Sequence, residues 1–176
     1  MKRTTILTIL IVTMTSFDMR ELIIDETGFG DIRIGETTIF QIKRKHIFSK
    51  RTRTFRHALY RTDDGRIGKT YKYEQVRTKG GITYFFNYEL GTKKQIKLDE
   101  ILFAMPASVK TGKGVKLGQS SFKEVEERYG VETTNFSKSQ AIKEYETIEF
   151  YSDKLLGKDS VDQNFIVTQI RIKGKW

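Results

Sequence analysis

Residues 34–42 read Ile34-Gly35-Glu36-Thr37-Thr38-Ile39-Phe40-Gln41-Ile42, and residues 117–125 read Leu117-Gly118-Gln119-Ser120-Ser121-Phe122-Lys123-Glu124-Val125. The two stretches align without a gap, and Phe40 against Lys123 is the clear mismatch. Each sets an aliphatic-glycine pair ahead of a hydroxyl residue, with Gln or Glu three positions beyond it. Thr38 with Gln41, and Ser121 with Glu124, are capping boxes: the hydroxyl accepts from an orphan amide, and the longer side chain reaches back to the cap residue's own amide. Beyond the cap, Ile39, Ile42 and His46 fall at i, i+3 and i+7, as do Phe122, Val125 and Tyr129, which is one face of a short helix. Gly130 is a natural stop for the second helix. Before each helix an alternating stretch, Ile32-Arg33-Ile34 or Val115-Lys116-Leu117, ends at a glycine able to make a strand-to-helix turn. A local signal duplicated with the same spacing predicts an internal repeat.

Strand-like sequence follows each helix. After the first come 70–77, 81–88 and 95–105, with Thr78-Lys79-Gly80-Gly81-Ile82 as a hairpin signal. After the second come 143–151 and 165–173. In the last of these, Ile166, Thr168, Ile170 and Ile172 alternate with Gln169, Arg171 and Lys173, so one side is expected to be buried. Phe85-Phe86 and Phe150-Tyr151 read as equivalent aromatic pairs. Residues 107–114, after Pro106, read as the linker between copies. The first copy has a longer path, roughly 47–69, which is a second helix or an added hairpin turning at Asp63-Asp64-Gly65. The expected fold is α+β: two tandem units, each a short capped helix packed on an antiparallel sheet, spanning 17–106 and 107–176.

A glycine, a hydroxyl cap, a short amphipathic helix and then a meander of strands resembles the helix-on-sheet unit of β-lactamase-inhibitory proteins, which carry it twice in tandem. It is also similar to the small outer-membrane lipoproteins that assist β-barrel assembly. The resemblance covers about residues 27–176 and rests on Gly35, Thr38 and Ile42 with Gly118, Ser121, Val125 and Gly130. It implies an enzyme inhibitor or a part of an envelope assembly. It carries over no contact residues, and the chain has no cysteine for lipid attachment.

The N-terminus reads as an export signal. Lys2 and Arg3 precede the short apolar run 4–13, and Thr13-Met14-Thr15-Ser16 is a small-residue exit. Residues 1–16 are therefore expected to be a signal peptide. The run is too short for a membrane span, which needs about 20 apolar residues.

The 176 residues carry a formal charge of +10, with no cysteine and two histidines. The absence of cysteine excludes disulfides, thiolate zinc sites and a Cys nucleophile. His46 lies on the core-facing side of its helix. His57 sits among arginines, which lower its pKa and discourage cation binding. Asp63-Asp64, Asp99-Glu100 and Glu124 with Glu126-Glu127 read as solvated charge, and no glycine loop has the spacing that cradles phosphate. No catalytic residue, metal site or cofactor is expected.

The most distinctive electrostatic feature is a basic segment. From Thr37 to Thr62 there is no acidic residue. The stretch holds Lys43, Arg44, Lys45, Lys50, Arg51, Arg53, Arg56 and Arg61, interleaved with Phe48, Phe55 and Tyr60. Such a mixture can grip phosphates and stack on bases or sugars, rest on anionic lipid, or simply form a solvated face over core aromatics. The expectation is an exported protein, periplasmic or secreted. It binds or scaffolds another protein, or an acidic surface or ligand, through this segment or an exposed sheet face. The alternative is a small basic enzyme, or a nucleic-acid- or glycan-binding protein, acting through 43–61.

Overall fold

A computed structural model describes residues 21–45, 52–61, 67–89, 96–137, 139–153 and 165–174. The expected signal peptide, His46, Lys50 and Arg51 lie outside the described residues. The elements in chain order are β1 (Leu22–Ile24), β2 (Gly28–Phe29), β3 (Ile32–Arg33), α1 (Ile39–Lys45), β4 (Thr52–Arg61), β5 (Ile67–Arg77), β6 (Ile82–Glu89), β7 (Glu100–Ala104), β8 (Val109–Thr111), α2 (Phe122–Tyr129), β9 (Thr134–Phe136), β10 (Gln140–Glu144), β11 (Ile148–Asp153) and β12 (Gln169–Lys173). This is an α+β arrangement with two helices and a mostly antiparallel sheet.

Eight strands form one sheet in the order β4-β5-β6-β7-β12-β11-β10-β9, every neighbouring pair antiparallel. The four strands after α1 run inward from one edge, and the four after α2 run inward from the other. They meet where β7 pairs β12, in the register Glu100↔Lys173, Leu102↔Arg171 and Ala104↔Gln169.

The lead-in to each helix is made alike. Gly35 donates to the Leu98 carbonyl (2.7 Å) and Gly118 to that of Val167 (2.8 Å). Leu98 donates back to Thr37 (2.7 Å), and Val167 to Ser120 (2.9 Å). Ile39 donates to Ile96 (3.2 Å), and Phe122 to Phe165 (2.8 Å). Both turns need a left-handed residue, φ 77° at Gly35 and 76° at Gly118, which a Cβ would strain. The caps form as the sequence predicts. The Thr38 amide donates to Gln41 Oε1 (2.7 Å) and the Gln41 amide to Thr38 Oγ1 (3.4 Å). The Ser121 amide donates to Glu124 Oε2 (2.9 Å) and the Glu124 amide to Ser121 Oγ (3.3 Å).

Ile39 and Ile42 of α1, and Phe122 and Val125 of α2, are buried against the sheet, while Tyr129 is half-buried. The sheet's core face supplies Val76, Ile82, Tyr84, Phe86, Ile101, Phe103, Ala141, Ile148, Phe150, Ile170 and Ile172. Phe29 closes the first half edge-on to Phe103 (5.5 Å between centroids). Tyr129 does so for the second half against Phe150 (5.0 Å). Each fully buried Val, Ile or Phe among these contributes about 1.5–3 kcal/mol by leaving water.

Four expectations change, and one left open between two options is decided. Residues 107–114 are not a free linker: β8 runs parallel to β1, and Ala107, Val109 and Thr111 are buried. The span 143–151 is a hairpin rather than one strand, because the Tyr145 amide closes a turn on the Ile148 carbonyl (2.9 Å). The first-copy extension is the hairpin of the two options, as β4 pairs β5. The aromatic equivalence slips by one residue. Ile82↔Phe103 and Ile148↔Ile172 match, so Tyr84 of β6 corresponds to Phe150 of β11 on the core face, and Phe85 corresponds to Tyr151 on the other face. A slip of one exchanges the two faces of a strand. The same effect acts before β12, where Val167 is buried and Ile166 is exposed, because Ile166 bridges Ser121 rather than continuing the ladder.

Candidate functional site

The basic segment divides between two elements. Lys43, Arg44 and Lys45 form the exposed last turn of α1, where cations suit the negative end of the helix. Lys43 pairs with Glu74 of β5 (2.7 Å), and Lys45 pairs with Asp31. Both acids come from outside the acid-free stretch, so an unbroken run of cations in sequence is not an unpaired one in space. Lys45 also holds the Asp31 carboxyl below its ordinary range by hydrogen bonding. Arg44 and Lys45 help to line a hollow of ≈ 370 Å³ with Asp31 and Gln41. Arg53, Arg56 and Arg61 fall on β4, in register with Gln75, Lys72 and Ile67. β4 is the outermost strand and pairs only with β5 among the described residues. Its register shifts between Arg56↔Lys72 and Ala58↔Tyr71, leaving His57 as the extra residue of a bulge.

A second candidate is the exposed sheet face, which the sequence offers beside the basic segment and which here is the face opposite the helices. Both helices, β1 with β8, and β2 with β3 all place their buried residues in the core on the other side. Among the described residues no element packs on the opposite face. Three lateral rows cross it: Thr83-Leu102-Arg171-Glu149-Glu144, Ala104-Gln169-Tyr151-Ile142, and Phe85-Glu100-Lys173.

Glu149 is the centre of this face. It is almost out of solvent, with its side chain 8 % exposed. It accepts from Lys173 Nζ (2.5 Å) and from the Tyr151 hydroxyl, with Arg171 Nη1 at 3.5 Å. Burial works to raise its pKa, but these donors and charges outweigh it and hold the carboxyl below its usual value. Arg171 lies over the Tyr151 ring (5.4 Å) and reaches Glu100 at 3.7 Å. Glu100 is shifted the other way: burial pushes it up and the nearby Glu149 charge adds to that, against Arg171 and Lys173. Burial also pushes the Tyr151 hydroxyl well above its normal range, helped by its hydrogen bond to Glu149. The result is an interlocked patch of aromatic, aliphatic, carboxylate and guanidinium groups, in which the buried Arg171 Nε has no hydrogen-bond partner. Tyr and Arg are the types enriched where binding energy concentrates at protein interfaces.

Lys143 is a buried cation on the core face. It is 4 % exposed, pairs with Glu126 of α2, and donates to the Glu132 carbonyl (2.8 Å). Its partners are complete, and it ties β10 to α2. Among the described residues no group of acidic or histidine side chains is arranged to hold a metal ion, and no helix is long and apolar enough to cross a membrane. No family model matches the chain, and no curated protein or solved structure matches it either.

Proposed function

We propose that this chain is an exported, non-catalytic binding or scaffold protein made of two tandem helix-on-sheet units, and that it holds a partner protein against the helix-free face of its sheet. The observation that carries the reading is the Glu149-Arg171-Lys173-Tyr151 cluster. A charge network at the centre of a sheet face on which no described element packs is costly to desolvate unless it is paired, and here Glu149 accepts from both Lys173 and Tyr151. Leu102, Phe85 and Ile142 flank it with half-buried apolar surface. Half-buried apolar side chains beside Tyr and Arg groups held in place are of the kind that concentrate binding energy at protein interfaces. The tandem reading is supported by the matching turns and caps at Gly35 and Gly118, and by the mirror order of strands about the β7–β12 ladder.

The test is copurification of the tagged chain from its native cell, alongside Leu102→Glu and Phe85→Glu. Both variants place a charge on the open face without touching the core. A partner retained by the wild-type chain should be lost from both variants while their far-UV circular dichroism stays unchanged. A partner held equally by all three would place the contact elsewhere.

A further inference from the structure

The two edges of the sheet are built differently. β9, at one end, is three residues long, and a short edge is a common protection against unwanted strand pairing. β4, at the other end, is ten residues long. From Thr52↔Val76 to Arg56↔Lys72 its register with β5 is unbroken, and the bulge at His57 ends that run. In an antiparallel edge strand about half the residues direct their N–H and C=O groups away from the neighbour. Among the described residues nothing pairs on the outer side of Thr52–Arg56, which there offers an unbroken acceptor about 17 Å long.

Charge restricts what can pair there. Arg53 and Arg56 lie in the stretch, Lys72 lies across from Arg56, and Glu74, across from Thr54, is already paired with Lys43; no acid occurs in the sequence between Thr37 and Thr62. Like charges directly opposite each other are destabilising on paired strands. A second copy of β4 would bring one acid-free basic strand against another, so this edge disfavours self-association. An acidic strand meets the opposite situation, gaining ladder hydrogen bonds and cross-strand ion pairs together.

We propose that Thr52–Arg56 is an acceptor edge for an extended acidic segment of a partner protein, which adds to the sheet as a ninth strand. This site is separate from the open face, and does not require that face to bind anything.

The test uses the full chain and three labelled peptides followed by fluorescence anisotropy: alternating Glu and Val, alternating Glu and Pro, and alternating Lys and Val. The Glu–Val peptide should bind, and should weaken as ionic strength rises towards about 0.15 M because the ion pairs are exposed to screening. The Glu–Pro peptide has the same charge but few amides for a ladder, and should bind at least about tenfold more weakly. The Lys–Val peptide should not bind. Arg53→Glu with Arg56→Glu should weaken Glu–Val binding by about tenfold or more, whereas Leu102→Glu should leave it unchanged. Hydrogen exchange on the wild-type chain supplies a readout independent of the variants: amides within 52–56 should gain protection when Glu–Val is bound. Equal affinity for the Glu–Val and Glu–Pro peptides, absent protection, or indifference to the double reversal would each overturn the proposal. Preference for a single-stranded oligonucleotide or an anionic vesicle over the Glu–Val peptide would overturn it in favour of a different acidic partner.

Discussion

Leu102 of β7 lies directly across from Arg171 of β12, at the middle of the five-residue ladder that joins the two halves of the sheet. Its neighbours on the same face are Thr83 on one side and, beyond Arg171, Glu149 on the other. The centre of the sheet is thus also the centre of the face on which no described element packs. Whatever rigidifies the join also shapes the surface proposed to meet a partner.

Glu149 gives that join a pH dependence. Its folded-state pKa lies below the ordinary glutamate value, so its stabilisation is present above the ordinary glutamate range and is lost as the pH falls through the depressed folded value. Glu149→Gln should remove about 1–3 kcal/mol at neutral pH, since it strips the charge from a buried, multiply bonded acceptor. It should also flatten the acid limb of a plot of unfolding free energy against pH. Glu100 runs the opposite way: its folded pKa is raised, so ionising it costs stability as the pH rises through that value. Glu100→Gln should lessen the loss on that side. Urea titrations from acid to neutral pH measure both.

Lys143 and Glu126 form the pair that ties α2 to β10. Removing one partner leaves a nearly buried charge uncompensated, and Glu126 is itself partly exposed, so Glu126→Gln should cost about 1–3 kcal/mol. The double change Lys143→Met with Glu126→Leu should recover most of the loss, because no charge is then stranded. A double-mutant cycle by thermal unfolding checks both.

The two caps should behave alike. Thr38→Ala and Ser121→Ala should each cost about 1 kcal/mol. Val125, fully buried on α2, should cost about 1–3 kcal/mol as Val125→Ala. Denaturant midpoints of the three single variants against wild type measure these effects.

These differences also mark what a sequence can carry. The caps, the glycine turns and the buried helix faces were legible at Thr38, Ser121, Gly35 and Gly118 because each rests on residues within a turn of one another. The role of 107–114 was not, since β8 owes its strand character to pairing with the distant β1. The hairpin within 143–151 was hidden because its turn, Tyr145 to Thr147, contains neither glycine nor proline. The open-face cluster was the least legible. Glu149, Arg171 and Lys173 each look like routine polar-face residues, and only the order β7-β12-β11 brings them together. Acid-free sequence overstated the isolation of Lys43 and Lys45, because Glu74 and Asp31 arrive from other elements.

The most direct test of the open-face reading is site-specific photocrosslinking in the native cell. A photoreactive phenylalanine analogue placed at Leu102 sits at the middle of the uncovered face. The same analogue at Lys123 sits on the exposed outer side of α2. The account predicts a discrete crosslinked partner protein from position 102 and none from position 123. Crosslinks from position 123 with none from position 102 would contradict it.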